Sequence, residues 1–216
     1  MSAVTEEMVD HYSNVIRDLN FLDPYVTDAL AWVVVRGRDT RLTVPEVVSR
    51  LGGDPGAITR RVPLPPKGEG EASMEQRGDN VLIFIANSYA FSQSETLAPL
   101  TENAQAWGFW WLINNAHGLF YAADGRSVTE VNLPSFDGSL PCWGRDPHAL
   151  DPYLGWLRAL GEQLRREDET GEYDPPYLER EIALATVEAM SGVRLESSWF
   201  TREQDYIAHA PRLLPP

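Results

Sequence analysis

Gln105–Leu133 reads QAWGFWWLINNAHGLFYAADGRSVTEVNL, three apolar or aromatic runs parted by turn signals at Asn114–Gly118 and Asp124–Arg126. Asn, Asp and Gly suit tight turns, and the runs between them are rich in residues that fit a pleated surface, so the spacing predicts a three-stranded antiparallel meander. Its first strand, Trp107 to Ile113, carries three of the chain's seven tryptophans, and a sheet centre is where that much ring surface is most readily buried. Side chains alternate along a strand, which puts Trp107, Phe109, Trp111 and Ile113 on one face and Gly108, Trp110 and Leu112 on the other. Both faces are apolar. Helices coating both sides of the sheet explain this, and so does one face in the core with the other lining a groove for a partner; the buried reading is the favoured one. Where a face is open, Trp110 with Tyr121 or Phe120 is the expected interface patch.

Upstream, Met8, Val9, Tyr12, Val15, Ile16 and Leu19 recur at helical spacing behind the N-cap candidate Thr5. Ala29–Arg36, ALAWVVVR, reads as a buried strand ended by Gly37, with helix an alternative for its first half, and Val81–Ala86, VLIFIA, as another strand. Thr43-Val44-Pro45-Glu46 forms a capping box that starts a short helix, stopped by Gly52-Gly53-Asp54-Pro55. Pro63–Asp79 is rich in Pro, Gly and charge and reads as a mobile loop. A short helix opened by Ser92 or Ser94 leads into the meander.

Downstream, 134–145 reads as irregular. Asp151-Pro152 starts a helix with Tyr153, Leu154, Leu157, Leu160 and Leu164 on one stripe, and Asp174-Pro175-Pro176 opens another with Leu178, Ile182, Ala185 and Ala189 on one side. Residues 193–200 read as an edge strand, Thr201–Gln204 as a second capping box, and 208–216 as a loose tail. The expected fold is therefore α+β: a mainly antiparallel sheet of about five or six strands packed with amphipathic helices. Residues 1–216 read as a single domain.

The 216 residues carry a net charge of −14, and Lys67 is the only lysine. That balance repels phosphate backbones and disfavours nucleic acids and anionic membranes as partners, whereas a basic protein partner fits it. Cys142 is the only cysteine, which excludes an intrachain disulfide and a Cys-based zinc cluster and suits a reducing cytoplasm. The N-terminus MSAVTEEMVDHY shows no signal-peptide pattern, and no segment is long and apolar enough to span a membrane.

No motif fixes a chemical activity. His11, His117, His148 and His209 are scattered, without the spacing that brings two ligands to one metal, so neither a metal nor a cofactor is expected. No Gly-x-Ser-x-Gly elbow occurs, and neither Gly52-Gly53 nor Gly68-Glu69-Gly70 forms a phosphate loop. Cys142 reads as an incidental thiol, and the carboxylate runs as solvated helix ends. His117 reads first as a turn residue and alternatively as a group facing a pocket.

Val35-Arg36-Gly37, Arg50-Leu51-Gly52-Gly53-Asp54-Pro55, Tyr121–Arg126, Trp143-Gly144-Arg145-Asp146-Pro147 and Ser191-Gly192-Val193-Arg194-Leu195 stand in an order and spacing that resembles an uncharacterised, mainly actinobacterial family, over roughly residues 29–195. The long stretch at 63–79 and the tryptophan-heavy strand depart from that family's pattern. The resemblance implies an α+β domain acting in the bacterial cytoplasm and lends no catalytic residue. The leading functional expectation is a non-enzymatic, intracellular protein-binding module of immunity or regulatory type whose acidic surface engages a basic partner. The alternative is a small-ligand-binding protein or enzyme with a pocket at the meander. Candidate binding residues are Trp110, Asn114, Asn115, His117, Tyr121, Asp124 and Arg145. Of these, His117, Tyr121, Asp124 and Arg145 should converge on one cavity if the alternative holds.

Overall fold

The computed structural model describes residues 3–24, 27–65, 68–86 and 88–214. Along the chain run α1 (Glu6–Leu22), β1 (Leu30–Gly37), α2 (Val44–Arg50), β2 (Thr59–Arg61), β3 (Ala72–Arg77), β4 (Asn80–Ala86) and α3 (Ser94–Leu100). The second half comprises β5 (Ala104–Trp111), β6 (His117–Ala123), β7 (Arg126–Val131), β8 (Cys142–Trp143), α4 (Gly155–Thr170), α5 (Glu179–Ser191) and β9 (Gln204–Ile207). Among the described residues the strands form one sheet in the order β2-β9-β3-β4-β1-β5-β6-β7-β8, antiparallel at every pairing. The α+β class matches expectation. Nine strands replace the five or six expected.

Helices cover both faces. On one, Trp32, Phe84, Phe109 and Trp111 pack with α1, α4 and α5 and with Trp199 and Phe200; on the other, Val33, Val35, Ile83, Ala106 and Phe120 pack with α2, α3, Phe91 and Leu213. This double coating is why β1 and β4 are apolar along nearly their whole length. Helix α5 lies against β5 and β1 with α1 and α4 beside it, so Ile182 through Ser191 are all buried. Its alanines let it sit close, and its burial extends well beyond the single expected stripe. Local signals hold where they are strongest. The Thr43 N–H donates to Glu46 Oε2 at 2.8 Å, and α4 and α5 end at Gly171 and Gly192, both in the left-handed region.

Four stretches differ from expectation, the shortest being within 134–145, read as irregular, where Cys142 and Trp143 pair with β7 as β8. Residues 63–79, read as loop, contain β3, whose Ala72 and Met74 are buried while Glu75 pairs with Arg77 at 2.7 Å and Arg202 at 2.9 Å. The Gly78-Asp79 turn then joins β3 to β4 through the pair Arg77↔Asn80. Pro66 and Lys67 lie outside the described residues. Residues 193–200, read as an edge strand, instead lead into a 3-10 turn at Ser197–Thr201 that turns Trp199 and Phe200 into the core, and the expected helix after Thr201 is β9, inserted between β2 and β3. The tail read as loose buries Ala210 and Leu213 completely, with the Ala210 N–H donating to Gly70 O at 2.9 Å. No helix of the described residues is long and apolar enough to cross a membrane.

Candidate functional site

The β5–β6 connection is closed by Leu112 N–H to Ala116 O at 2.8 Å and Asn115 N–H to Leu112 O at 3.0 Å. Asn114 Oδ1 accepts the Ala116 N–H at 3.1 Å, and Asn115 takes a left-handed φ of 61°. Asn114 thus serves the turn itself. Two hollows open at this end of the sheet, and Asn115, His117 and Asn132 line both of them.

The first, about 420 Å³, lies on the α4/α5 side, walled by Trp111, Leu133, Phe136 and Leu164 and by Glu179 and Arg180 of the first turn of α5. Arg180 Nη1 donates to the Thr27 carbonyl at 2.8 Å, the same oxygen that accepts from Trp111 Nε1 at 2.7 Å. The guanidinium carbon stands 5.3 Å from the Trp111 ring centroid. Arg180 enters no ion pair among the described residues.

The Leu133 N–H donates to His117 Nδ1 at 3.3 Å, so the neutral ring carries its proton on Nε2. Burial pushes the His117 pKa down, and the charge of Arg180 acts in the same direction against a backbone hydrogen bond. Burial pushes the Glu179 carboxyl up, opposed by Arg180. The first hollow therefore offers an anchored cation, an imidazole whose burial disfavours the charged ring and a carboxyl whose burial disfavours the ionised form, set in apolar walls.

The second hollow, about 340 Å³, lies on the α2/α3 side over Trp110, Gly118, Phe120 and Glu130, with Phe91 and Trp143 at its walls. Trp110 and Phe120 share this face, whereas Tyr121 faces the other core.

Of the candidates, Trp110, Asn115 and His117 come together here, and Asn114 shapes the turn beside them. The other three do not join them. Tyr121 stacks on Trp107 at 5.8 Å and accepts from Gln105 Nε2 at 3.2 Å. Asp124 sits at the far end of β6, paired with Arg38 at 2.8 Å, and Arg145 is exposed and lines neither hollow. The cavity expected from His117, Tyr121, Asp124 and Arg145 is not formed, because β6 runs between His117 and Asp124 and separates them by roughly 20 Å; the small-ligand reading built on those four residues falls with it, and of the four only His117 lines the hollows at this end.

Glu130, Asn132, Glu179 and Arg180 escaped the sequence reading. The only signal for the last two was a pair of opposite charges opening a helix, a pattern that usually faces water. Among the described residues no group of three or more His, Cys, Asp or Glu could hold a metal ion. Comparison with family models, curated proteins and solved structures returns no match.

Proposed function

We propose that this chain is an intracellular small-molecule-binding protein whose ligand carries a carboxylate and sits in the hollow between the β5–β6 end and α5. The supporting observation is Arg180, a guanidinium held by the Thr27 carbonyl and the Trp111 ring at the wall of a hollow of about 420 Å³, without an ion pair among the described residues. A guanidinium fixed this way keeps free donors in a plane that matches a carboxylate. Trp111, Leu133 and Phe136 give the ligand's body an apolar wall, and Asn132 and His117 Nε2 add polar contacts.

The test is a titration of small aromatic and aliphatic carboxylates, followed at the side-chain amide signals of Asn115 and Asn132 and the Arg180 Nε–H. At least one compound is expected to saturate these shifts, and Arg180→Gln to abolish saturation while leaving the backbone spectrum intact. A panel with no saturable shift, or binding that survives R180Q, removes the reading.

A second reading rests on the rim of the same end, where Ile113, Phe136 and Trp143 are 74%, 61% and 41% exposed. Apolar surface of this kind is what a partner protein covers, and a net charge of −14 favours a basic one. The chain is then a non-enzymatic module of immunity or regulatory type. Recovery of a basic protein from the native host that is lost with Phe136→Ser and Ile113→Ser favours this reading; capture indifferent to both changes removes it.

A further inference from the structure

We infer that the second hollow binds a small organic ammonium, one whose nitrogen carries several carbon substituents. This inference is argued from Trp110, Phe120, Trp143 and Glu130, none of which lines the first hollow, and does not rest on the carboxylate ligand proposed for the opposite face.

The hollow is aromatic by construction. Trp110 on β5 stands opposite Gly118 on β6. A Cβ placed on Gly118 would meet Trp110 Nε1, Cε2 and Cζ2 at 2.7, 2.9 and 3.0 Å. These are three consecutive atoms on the Nε1 edge of the indole, so the ring is held against the bare backbone of Gly118 while the half-buried remainder of it lines the hollow. Behind it, Phe120 is buried and stacked on Phe91 at 6.0 Å, which closes the inner wall. Trp143 on β8 closes the outer side, half exposed.

Charge selects the occupant. Among the described residues, Glu130 is the only carboxylate lining this hollow, and neither Lys nor Arg lines it. Glu130 Oε2 accepts from Trp143 Nε1 at 3.0 Å, and Oε1 accepts no hydrogen bond among the described residues. The carboxylate is thus positioned by one of the two tryptophans beside it and left with an open acceptor. Aromatic faces attract cations through their quadrupole, and a fixed carboxylate adds to that attraction. An anion has no counter-charge here, and a neutral guest gains nothing from Glu130. Alkyl groups on the nitrogen spread the charge and lower its hydration, so a substituted ammonium leaves water for an aromatic wall more readily than a bare one. The net charge of −14 favours its arrival.

Benzyltrimethylammonium, titrated into the whole protein, is the probe, and its uncharged carbon isostere with a tert-butyl group is the control. The indole N–H signals of Trp110 and Trp143, assigned through Trp110→Phe and Trp143→Phe, are expected to shift and saturate while that of Trp199 in the opposite core stays still. Glu130→Gln is expected to weaken binding about tenfold, and the isostere to bind weaker by a similar factor. Glu130 is partly exposed, so this variant keeps the fold, which its backbone spectrum verifies. Equal binding of the two compounds, or an unchanged affinity in E130Q, overturns the inference by showing a merely apolar hollow. Absence of a saturable shift overturns it too, as does saturation by an arginine-rich peptide alone, which assigns the surface to a protein partner.

Discussion

Arg180 and Trp111 donate to one oxygen, the carbonyl of Thr27, at 2.8 and 2.7 Å, and the guanidinium also stands over the indole ring. The triangle ties the start of α5 to the end of β5 and to the segment that follows α1. Arg180→Met is expected to lower unfolding free energy by about 1 kcal/mol, the sum of one hydrogen bond and one cation–π contact that are both partly shielded from water. The two donors are not independent, since each holds the shared acceptor in place for the other. A double-mutant cycle of Arg180→Met with Trp111→Phe in urea is expected to show a coupling of about 0.5–1 kcal/mol; strict additivity would contradict this account.

Gly108 and Gly118 make a reciprocal pattern on the α2/α3 face, each lying against the aromatic ring of its cross-strand partner, Phe120 and Trp110 respectively. A Cβ on Gly108 would come within 2.7 Å of Phe120 and 2.9 Å of Val33, both fully buried and without room to retreat. A Cβ on Gly118 meets Trp110, which is half-buried and free to lift toward the hollow. Gly108→Ala is therefore expected to cost about 2–3 kcal/mol and Gly118→Ala only about 1 kcal/mol, measured by chemical denaturation. G118A is also expected to alter the Trp110 fluorescence, which G108A leaves nearly unchanged.

The central strands were legible because burial on both faces leaves its mark in composition: Val33, Val34 and Val35 cannot face water on either side. β3 and β9 were not legible, since each carries charge whose partners come from distant segments. Glu75 meets Arg202, and Arg61 covers Tyr206 at 4.8 Å, contacts that exist only once β9 is threaded between β2 and β3. The site divides the same way. Trp110, Asn115 and His117 could be placed at the end of the meander because turn chemistry and strand alternation are local. Arg180 reaches the first hollow, beside Asn115 and His117, only through the path of α5 back across the sheet, and nothing near it in sequence records that path.

His117 gives the hollow a pH signature. Its folded pKa lies below its ordinary value of about 6.5 because burial disfavours the charged ring. Above that value both folded and unfolded chains hold a neutral imidazole, so pH leaves stability unchanged through this group. As pH falls below it, the unfolded chain binds the proton first, and stability drops until the folded ring also protonates. His117→Gln is expected to flatten the stability profile between about pH 7.5 and 5 relative to the parent. An identical slope in both proteins would show that His117 does not titrate as placed.

Glu181 carries the opposite sign. Burial, its largest influence, raises its folded pKa above the ordinary carboxylate value, with the nearby Glu179 adding to the rise and Arg180 opposing it. The unfolded chain loses this proton first, so the stability that goes with a neutral carboxyl is present at low pH and is lost as pH rises through the folded pKa. Glu181→Gln keeps a neutral side chain of similar shape at every pH. The variant is expected to be more stable than the parent near neutrality and indistinguishable from it below about pH 4. A gain that persists in acid would point to packing and not to charge.

Leu213 decides whether the C-terminal segment is part of the core. It is fully buried against the α2/α3 face, its N–H donates to Ala210 O at 2.8 Å, and the adjacent Arg212 reaches Arg50 O at 2.8 Å and takes the Thr96 hydroxyl proton on its own carbonyl at 2.8 Å. These contacts fasten the segment to α2 and α3, which otherwise cover that face with only short helices. Removing the three outer carbons of this side chain leaves a cavity that backbone hydrogen bonds on either side keep from collapsing. Leu213→Ala is expected to cost about 2–4 kcal/mol by thermal or urea unfolding. Truncation after His209 is expected to cost more and to expose apolar surface that binds a hydrophobic dye. A truncated chain as stable as the parent would return the segment to the status of a loose tail.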